Sequence, residues 1–426
     1  MRIWLITVGE PLPIDGDNER LLRTGILAAM LARRGHEVVW WSSAFDHVRK
    51  RHRVTNDGVV TLSGNYRIIL MHSCGYRRNI SLARLLDHHG LARKFAKMAI
   101  REPAPDVILC SMPTIELGCE AVRYAKAAGV PVVLDVRDLW PDIFLDLVPS
   151  WARGGVRLML SPLFRKLNEA CTGATAITGI TAPIMEWGLD HAGRPRTGLD
   201  RDFPLGYVER APSSSEIETA RAFWESFGIR SANDPFTPCF FGTFGRQFDL
   251  ETVIHAARLL EGGPRPFRFI MCGSGDRFAY YRKLAGGLAN MVFPGWVGAA
   301  EIWTLMRMSD VGLTPYFNSI DFRASLPNKS IEYLSAGLPV VSSLKGELEK
   351  LLAVHACGVN YLEGNPEDLA ATLVGLYDNR ARLKAMAENA LRLYQGTFRA
   401  EKVYKELGDY LEELVRVSPQ GREGAI

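Results

Sequence analysis

The stretch "SLPNKSIEYLSAGLPVVSS", Ser325 to Ser343, decides the fold. Pro327 suits the first turn of a helix, Gly337 suits the residue that ends it, and Pro339-Val340-Val341 opens a strand with β-branched side chains. A short helix running through a tight turn into an apolar strand is the repeating piece of a parallel αβ sheet. Asn328 and Lys329 then lie where unpaired backbone N–H groups and the positive end of the helix dipole point outward, with Glu332 one turn further along the same face. That end is a ready anion site. The carboxylate above it can accept two hydroxyl protons, as a ribose offers them, so the trio suits a nucleoside diphosphate; it reads equally as a capped helix with a solvated Lys–Glu pair.

The same rhythm recurs on both sides. In the first half, apolar runs at 2–8, 37–42, 67–71, 106–110, 131–134 and 174–178 alternate with helical patterns near 18–34, 81–101, 114–129 and 152–171. The segment "RAPSSSEIETARAFWESFGIRSANDP" is polar and helical with breakers at both ends and reads as a connector. A second series then starts at 237 with "TPCFFGTFG" and continues through "FRFIMCGSGD", "MVFPGW", "DVGLTPY" and "LPVVSS". The pattern predicts an α/β protein of two Rossmann-like, doubly wound domains, 1–205 and 236–397, joined by a connector at 206–235 and facing a central cleft. Ligands of open αβ sheets sit outside the carboxyl ends of the strands, so the active site is expected at that cleft. The last residues, "SPQGREGAI", are expected to fray.

Composition sets bounds on function. With 426 residues, 47% hydrophobic and 23% charged, the chain has ordinary globular make-up and length for two or three domains. No apolar run approaches the ~18 to 20 residues of a membrane span, and "MRIWLITVGEP" reads as a first strand, not a signal peptide. Seven scattered cysteines without a C-x-x-C pair indicate neither a disulfide framework nor a zinc site, which predicts a reduced, cytoplasmic protein. A formal net charge of +4 is too mild to announce a nucleic-acid partner. Its distribution is uneven. From Tyr76 to Arg101 there are seven Lys and Arg against one acid, Asp87, while Leu82, Leu85, Leu86, Phe95 and Met98 form an approximately helical apolar set. "HVRKRHR", 47–53, adds four more basic side chains. Such a helix suits an anionic membrane surface; it also reads as a solvated helix covering a sheet edge.

The loops discriminate among chemistries. The turn after the first strand, "GEPLPIDGDNER", lacks the G-x-G-x-x-G of dinucleotide folds, and the P-loop pattern is missing too. In the second half, "FFGTFGRQFDL" ends a strand with Gly242 and Gly245, brings backbone close to a ligand and sets Arg246 beside it, with Asp249 placed to cap the next helix. "CGSGD", 272–276, with Gly273, is another glycine turn opening a helix. "FPGWV", 293–297, offers main-chain groups at Gly295 and Val297 plus Trp296 for reading or stacking on a base. Together with Asn328, Lys329 and Glu332 these turns outline a pocket with two cations for a diphosphate and one anion for a ribose.

That order of motifs resembles the donor half of the family 4 glycosyltransferases, whose fold is GT-B, and the resemblance covers most of the chain. "LARRGHEVVWW" and "DVRDLWPDIF" are similar to the bacterial branch that assembles O-antigen, capsule and colanic-type polysaccharide, including fucosaminyltransferase-like members. The resemblance implies an acceptor domain at 1–205, a donor domain at 236–397 and a final helix near 398–416 that packs back on the first. It implies transfer of a sugar from a nucleotide sugar, a UDP-sugar favoured, to a hydroxyl of a lipid-linked or growing polysaccharide acceptor. It implies too that the anomeric configuration is retained and that neither metal nor other cofactor is needed. The ribose carboxylate falls on Glu332, and Ser325, Leu326 and Pro327 join the donor loop. One departure stands out: the common pattern has a second Glu eight positions before Glu332, and here that residue is Ala324. Sugar contacts then fall to backbone, Asp321 or the other domain. The loop bearing Arg246 is also shorter than usual.

On the acceptor side, "DVRDLWPDIF" follows a strand and puts Arg137, Asp138 and Asp142 on a loop at its carboxyl end. A carboxylate there can orient or deprotonate an acceptor hydroxyl while Arg246 and Lys329 stabilise the departing diphosphate; Asp138 reads equally as a helix cap or a partner of Arg137. His47 follows the second strand and either reaches the site or belongs to a solvated basic loop. Gly16-Asp17-Asn18 precedes the first long helix, whose N-terminus suits a phosphate or an ordinary cap. Asp200-Arg201-Asp202 imitates a D-x-D metal motif but lies between the halves. The leading expectation is an enzyme peripheral to the inner face of the cytoplasmic membrane. A nucleotide-sugar epimerase or hydrolase, or a non-catalytic nucleotide-sugar-binding subunit, are the alternatives.

Overall fold

The computed structural model describes residues 1–16, 19–229 and 235–417. Asp17 and Asn18 of the first turn, part of the expected connector and the tail from 418 lie outside the described residues. The chain divides into two compact units, Met1–Gly206 with the residues from Ala400 onward, and Tyr207–Arg399.

The first unit is built on one sheet. Across it the strands run Arg201–Asp202, Ala176–Gly179, Val132–Val136, Val107–Met112, Arg2–Ile6, Glu37–Ser43, Tyr66–Met71 and Gly58–Ser63. All neighbours pair in parallel except Gly58–Ser63, which turns back antiparallel on Tyr66–Met71. That edge strand is mostly exposed, so it lacks the apolar run that marks the central strands. The order reverses between Arg2–Ile6 and Val107–Met112, where Leu5 pairs with Trp40 on one side and Leu109 on the other. Helices Arg23–Arg33, Leu82–Ala99, Ile115–Ala128 and Ala182–Ala192 pack on the sheet, and Ser161–Gly173 packs on the last two of them. The helix expected over 152–171 is two, Arg153–Met159 and Ser161–Gly173, the second opening with Pro162. The last helix, Ala400–Val417, buries Val403, Tyr404, Leu407, Tyr410, Leu411 and Leu414 in this unit, and Arg34 meets Asp409 at 2.8 Å.

In the second unit six parallel strands run Met291–Gly295, Phe269–Cys272, Pro238–Phe241, Val311–Thr314, Val340–Ser342 and Gly358–Asn360. The reversal falls between Pro238–Phe241 and Val311–Thr314. The helix of the opening stretch, Asn328–Ser335, lies close on this sheet because Gly312 has no side chain: a Cβ there would collide with the Tyr333 ring. Tyr333 Oη donates to the carbonyls of Cys239 (3.2 Å) and Leu313 (3.3 Å), tying helix to strand ends. The expected connector contributes helix Ser214–Ser226 to this unit. Ser213 and Glu216 form a capping box, and fully buried Trp224 donates Nε1–H to the Glu301 carbonyl at 3.0 Å.

Candidate active site

At the reversal point of the second unit, three strand ends continue as a backbone ladder. Gly242 N–H donates to Cys272 O at 3.0 Å, and Gly273 N–H to Gly295 O at 2.7 Å. Gly242 (φ +151°) and Gly273 (φ +138°) are in contact, so a Cβ on Gly273 would strike the Gly242 carbonyl. A Cβ on Gly242 would meet Lys329 Nζ at 2.5 Å. Gly242 therefore leaves the room that the lysine fills, and Gly273 lets the two strand ends approach.

Lys329 enters from the first turn of helix Asn328–Ser335, which has no capping side chain. Its Nζ donates to the Phe241 carbonyl and lies over the rings of Phe240 (4.5 Å), Phe241 (4.9 Å) and Phe248 (5.3 Å). Burial pushes the ammonium down to about 8, with Glu332 working the other way. Glu332 is buried one turn on, and its charge reaches Tyr316. Asn328 is exposed at the helix start, and Ser325, Leu326 and Pro327 form the turn after helix Ile320–Ala324. Arg246 is exposed on the loop after Gly245, and Asp249 Oδ1 accepts from Thr252 N–H at 3.2 Å as the helix cap. Trp296 stands 76% exposed beside Gly295, while Val297 is buried. Asp321 accepts from Ser319 Oγ at 2.5 Å. A larger hollow of about 750 Å³, lined by Asn318, Arg323, Lys345 and Glu363 among others, contains none of these candidate nucleotide residues.

The first unit presents a cavity of about 210 Å³ at its own reversal point. Val8, Gly9, Pro113 and Thr114 come from the two strand ends, and His47, Tyr76, Arg84, Asp87, His88 and Asp138 complete the wall. His47 Nδ1 lies 2.5 Å from Tyr76 Oη and 3.4 Å from Lys50 Nζ. An ammonium can only donate, so Nδ1 accepts and the ring proton sits on Nε2. Burial, with Lys50 and Arg84 adding, pushes His47 down to about 4; burial and Arg84 take His88 to about 3, so both are neutral at pH 7. Asp87 Oδ1 accepts Gly75 N–H at 2.6 Å, fixing the loop that carries Tyr76. Arg84 lies 4.4 Å over Trp140.

Asp138 and His47 thus share one cavity, and Arg137 serves elsewhere. Its Nε meets Asp135 Oδ2 at 2.8 Å, its Nη1 pairs with Glu10, and its Nη2 donates to Thr24 Oγ1 at 3.1 Å. Arg23 adds a bidentate pair to Asp135, 2.9 Å at each oxygen. Burial alone would raise the Asp135 carboxyl, but the two guanidiniums hold it well below the usual range. Glu10 Oε2 also accepts Thr24 N–H at 3.0 Å, at the start of helix Arg23–Arg33. The N-terminus expected to follow the Gly16 turn directly therefore begins at Arg23 and already holds a carboxylate; Gly16 itself is exposed. Asp142 accepts from Trp187 Nε1 (3.1 Å) and lies 3.0 Å from His191 Nε2. Asp200 is buried against Arg194 at 2.6 Å, which overrides the effect of burial and holds it at about 2. Among the described residues no group of three or more His, Cys, Asp or Glu is arranged to hold a metal, no helix is long and apolar enough to cross a membrane, and the seven cysteines are unpaired.

Sequence reasoning missed Glu10, Arg23 and Asp135, although a carboxylate inside the apolar run "VVLDV" is a signal for a buried cationic partner. It also missed Tyr76, Arg84 and His88, which it counted as part of a basic surface. Helix Leu82–Ala99 buries Asp87, His88, Leu91, Ala92, Phe95 and Ala99, whereas Leu82 and Leu86 of the expected apolar set are exposed. The face turned inward was chosen by the cavity's polar groups as well as by the core.

Comparison with known proteins shows what this geometry is similar to. The family model for group 1 glycosyl transferases matches residues 235–379, the stretch holding every strand end of the second site. Residues 235–379 are thus similar to the group 1 glycosyl transferases, and the two sheets have the GT-B fold. The chain is 27% identical over 169 residues to the amylovoran biosynthesis glycosyltransferase AmsK of Erwinia amylovora, a match spanning 39% of this chain and 42% of that relative's length. The fold is shared with sucrose-phosphate synthase from Thermosynechococcus elongatus (TM-score 0.69, 17% identity, 98% of this chain and 100% of that one). It is shared too with Anabaena HepE in complex with UDP and glucose (TM-score 0.64, 16% identity, 97% of this chain and 100% of that one). The GT-B fold accounts for both sheets and for the return of the last helix to the first unit.

Proposed function

We propose that the chain transfers a sugar, with retention and without a metal, from a UDP-sugar to a hydroxyl of a lipid-linked or growing polysaccharide at the inner face of the cytoplasmic membrane. The observation that carries the reading is the buried Lys329 ammonium, held between the Phe241 carbonyl and three aromatic rings at the carboxyl end of a glycine-lined strand. Such a cation gains most from a diphosphate that arrives with its own charge. In this reading Lys329, Arg246 and the N–H groups at Asn328 receive the diphosphate, Glu332 the ribose, and Gly273, Gly295, Trp296 and Val297 the base. Ser325, Leu326 and Pro327 meet the sugar, and Asp321 takes over part of the work of the Glu replaced by Ala324.

Asp138 and His47 orient the acceptor hydroxyl, and Arg137 positions Asp138 by anchoring the loop. The leaving diphosphate oxygen takes the hydroxyl proton on the same face of the sugar as the new bond forms. No covalent protein intermediate is needed. The basic face of residues 76–101 supports an anionic membrane as neighbour. Support from relatives comes from AmsK, a glycosyltransferase of amylovoran biosynthesis, and from HepE, solved with UDP and glucose.

The test is transfer of labelled sugar from UDP-sugars into the lipid fraction of bacterial membranes. Lys329→Ala and Glu332→Ala should abolish transfer while keeping the native thermal midpoint; full activity in either sinks the site assignment. Ala324 favours one second reading, a binding subunit. Tight UDP binding with no turnover of any donor would bring it forward.

A further inference from the structure

The first unit carries an apolar excursion that its own core does not use. From Asp142 to Pro162 no residue is fully buried, although the stretch holds helices Ile143–Asp146 and Arg153–Met159. Leu147 is 68% exposed, Trp151 86%, Leu158 76% and Met159 71%. So many large apolar side chains on one short segment mark a surface that is covered in use. Arg153, Arg157 and Arg165 stand exposed among them, and with Lys166 they oppose only Asp142 and Asp146.

The excursion is rooted beside the cavity. Trp140 meets Phe144 at 4.9 Å, and the Arg84 guanidinium lies 4.4 Å over the Trp140 ring. Arg84 belongs to helix Leu82–Ala99, at whose start Ile80, Leu82 and Leu86 are exposed next to Arg77 and Arg78. Apolar side chains interleaved with arginines therefore flank the cavity that Tyr76, Arg84 and Asp138 line.

We propose that Asp142–Pro162, with Ile80, Leu82 and Leu86, is a membrane-docking edge. Trp151, Leu158 and Met159 enter the acyl boundary of an anionic bilayer while Arg77, Arg78, Arg153, Arg157 and Arg165 remain among the headgroup phosphates. Charge decides the occupant. A second copy of this chain would bring the same arginines to a self-complementary contact, whereas anionic headgroups answer them. This deepens the reading of a lipid-linked acceptor, which it rests on, by bringing that acceptor to the cavity from the bilayer surface.

The full-length chain is sedimented with vesicles of phosphatidylcholine and of a phosphatidylcholine–phosphatidylglycerol mixture, at low and high salt. Native protein should bind the mixture, and Trp151→Ser and Leu158→Asp should each lower partitioning roughly tenfold with unchanged thermal midpoints, since both side chains are exposed. Trp151→Phe should retain binding. Equal partitioning of native, Trp151→Ser and Leu158→Asp would overturn the proposal. So would a lipid-free dimer that Trp151→Ser converts to monomer, because the face would then be covered by a second copy. Vesicle binding as expected, without sugar transfer from any nucleotide sugar, would fail the proposed function and leave the docking edge standing.

Discussion

The two units share a sheet plan and treat charge at its reversal point in opposite ways. In the first, the protein supplies both signs itself: Glu10 meets the start of helix Arg23–Arg33, and Arg23 and Arg137 close on fully buried Asp135. In the second, helix Asn328–Ser335 has no capping side chain, and Lys329 is buried against a carbonyl and aromatic rings. One arrangement is complete without a ligand and stabilises a loop. The other keeps a cation at a cost, which a bound diphosphate would offset.

The largest expected effect lies on the complete side. Asp135→Asn leaves buried Arg23 without its carboxylate and Arg137 with Glu10 alone, and should lower unfolding free energy by about 3–5 kcal/mol in urea titrations. Lys329→Met, by contrast, removes a cation that burial already disfavours and should leave stability within about 1 kcal/mol of native or raise it. A comparable loss in both would break the comparison. Next in size, Lys329→Met should weaken UDP binding by roughly ten- to a hundredfold, the worth of a charge-assisted hydrogen bond, and Glu332→Ala by about tenfold. Calorimetric titration measures both.

pH sharpens the contrast further. Because burial sets the Lys329 ammonium at about 8 and a bound diphosphate would raise it, UDP binding should take up a proton. Affinity should therefore fall as pH rises above about 8, and the dependence should vanish in Lys329→Met. A smaller effect belongs to the first unit. His88, pushed to about 3 by burial, binds its proton more readily when unfolded, so its contribution is present above pH 6.5 and is lost as pH falls through the interval below. His88→Gln should flatten that acid limb of thermal stability.

How much of this was legible follows the same division. The second site is written locally: Gly242, Gly273 and Lys329 sit in short motifs whose turn chemistry points to an open strand end, and the sheet places them together. The first site is not. Glu10, Arg23, Asp135 and Arg137 are 13, 112 and 2 residues apart along the chain and meet only through the strand order. Likewise Tyr76, Arg84 and His88 look like members of a basic helix until that helix is seen to turn Asp87 and His88 inward. Local periodicity described its hydrophobic residues and could not say which face the cavity required. The edge strand Gly58–Ser63 and the three-residue strand Gly358–Asn360 escaped because neither carries a long apolar run.

The central claim, that the second unit's strand ends hold a nucleoside diphosphate on Lys329, is tested most directly by thermal shift with UDP on native protein and Lys329→Met. At a hundred times the native dissociation constant, ligand should stabilise the native chain by about 2.7 kcal/mol, a readily measured rise in midpoint, and the variant at the same concentration by only about 0.4–1.4 kcal/mol. Equal shifts in both would contradict the account and move the nucleotide elsewhere.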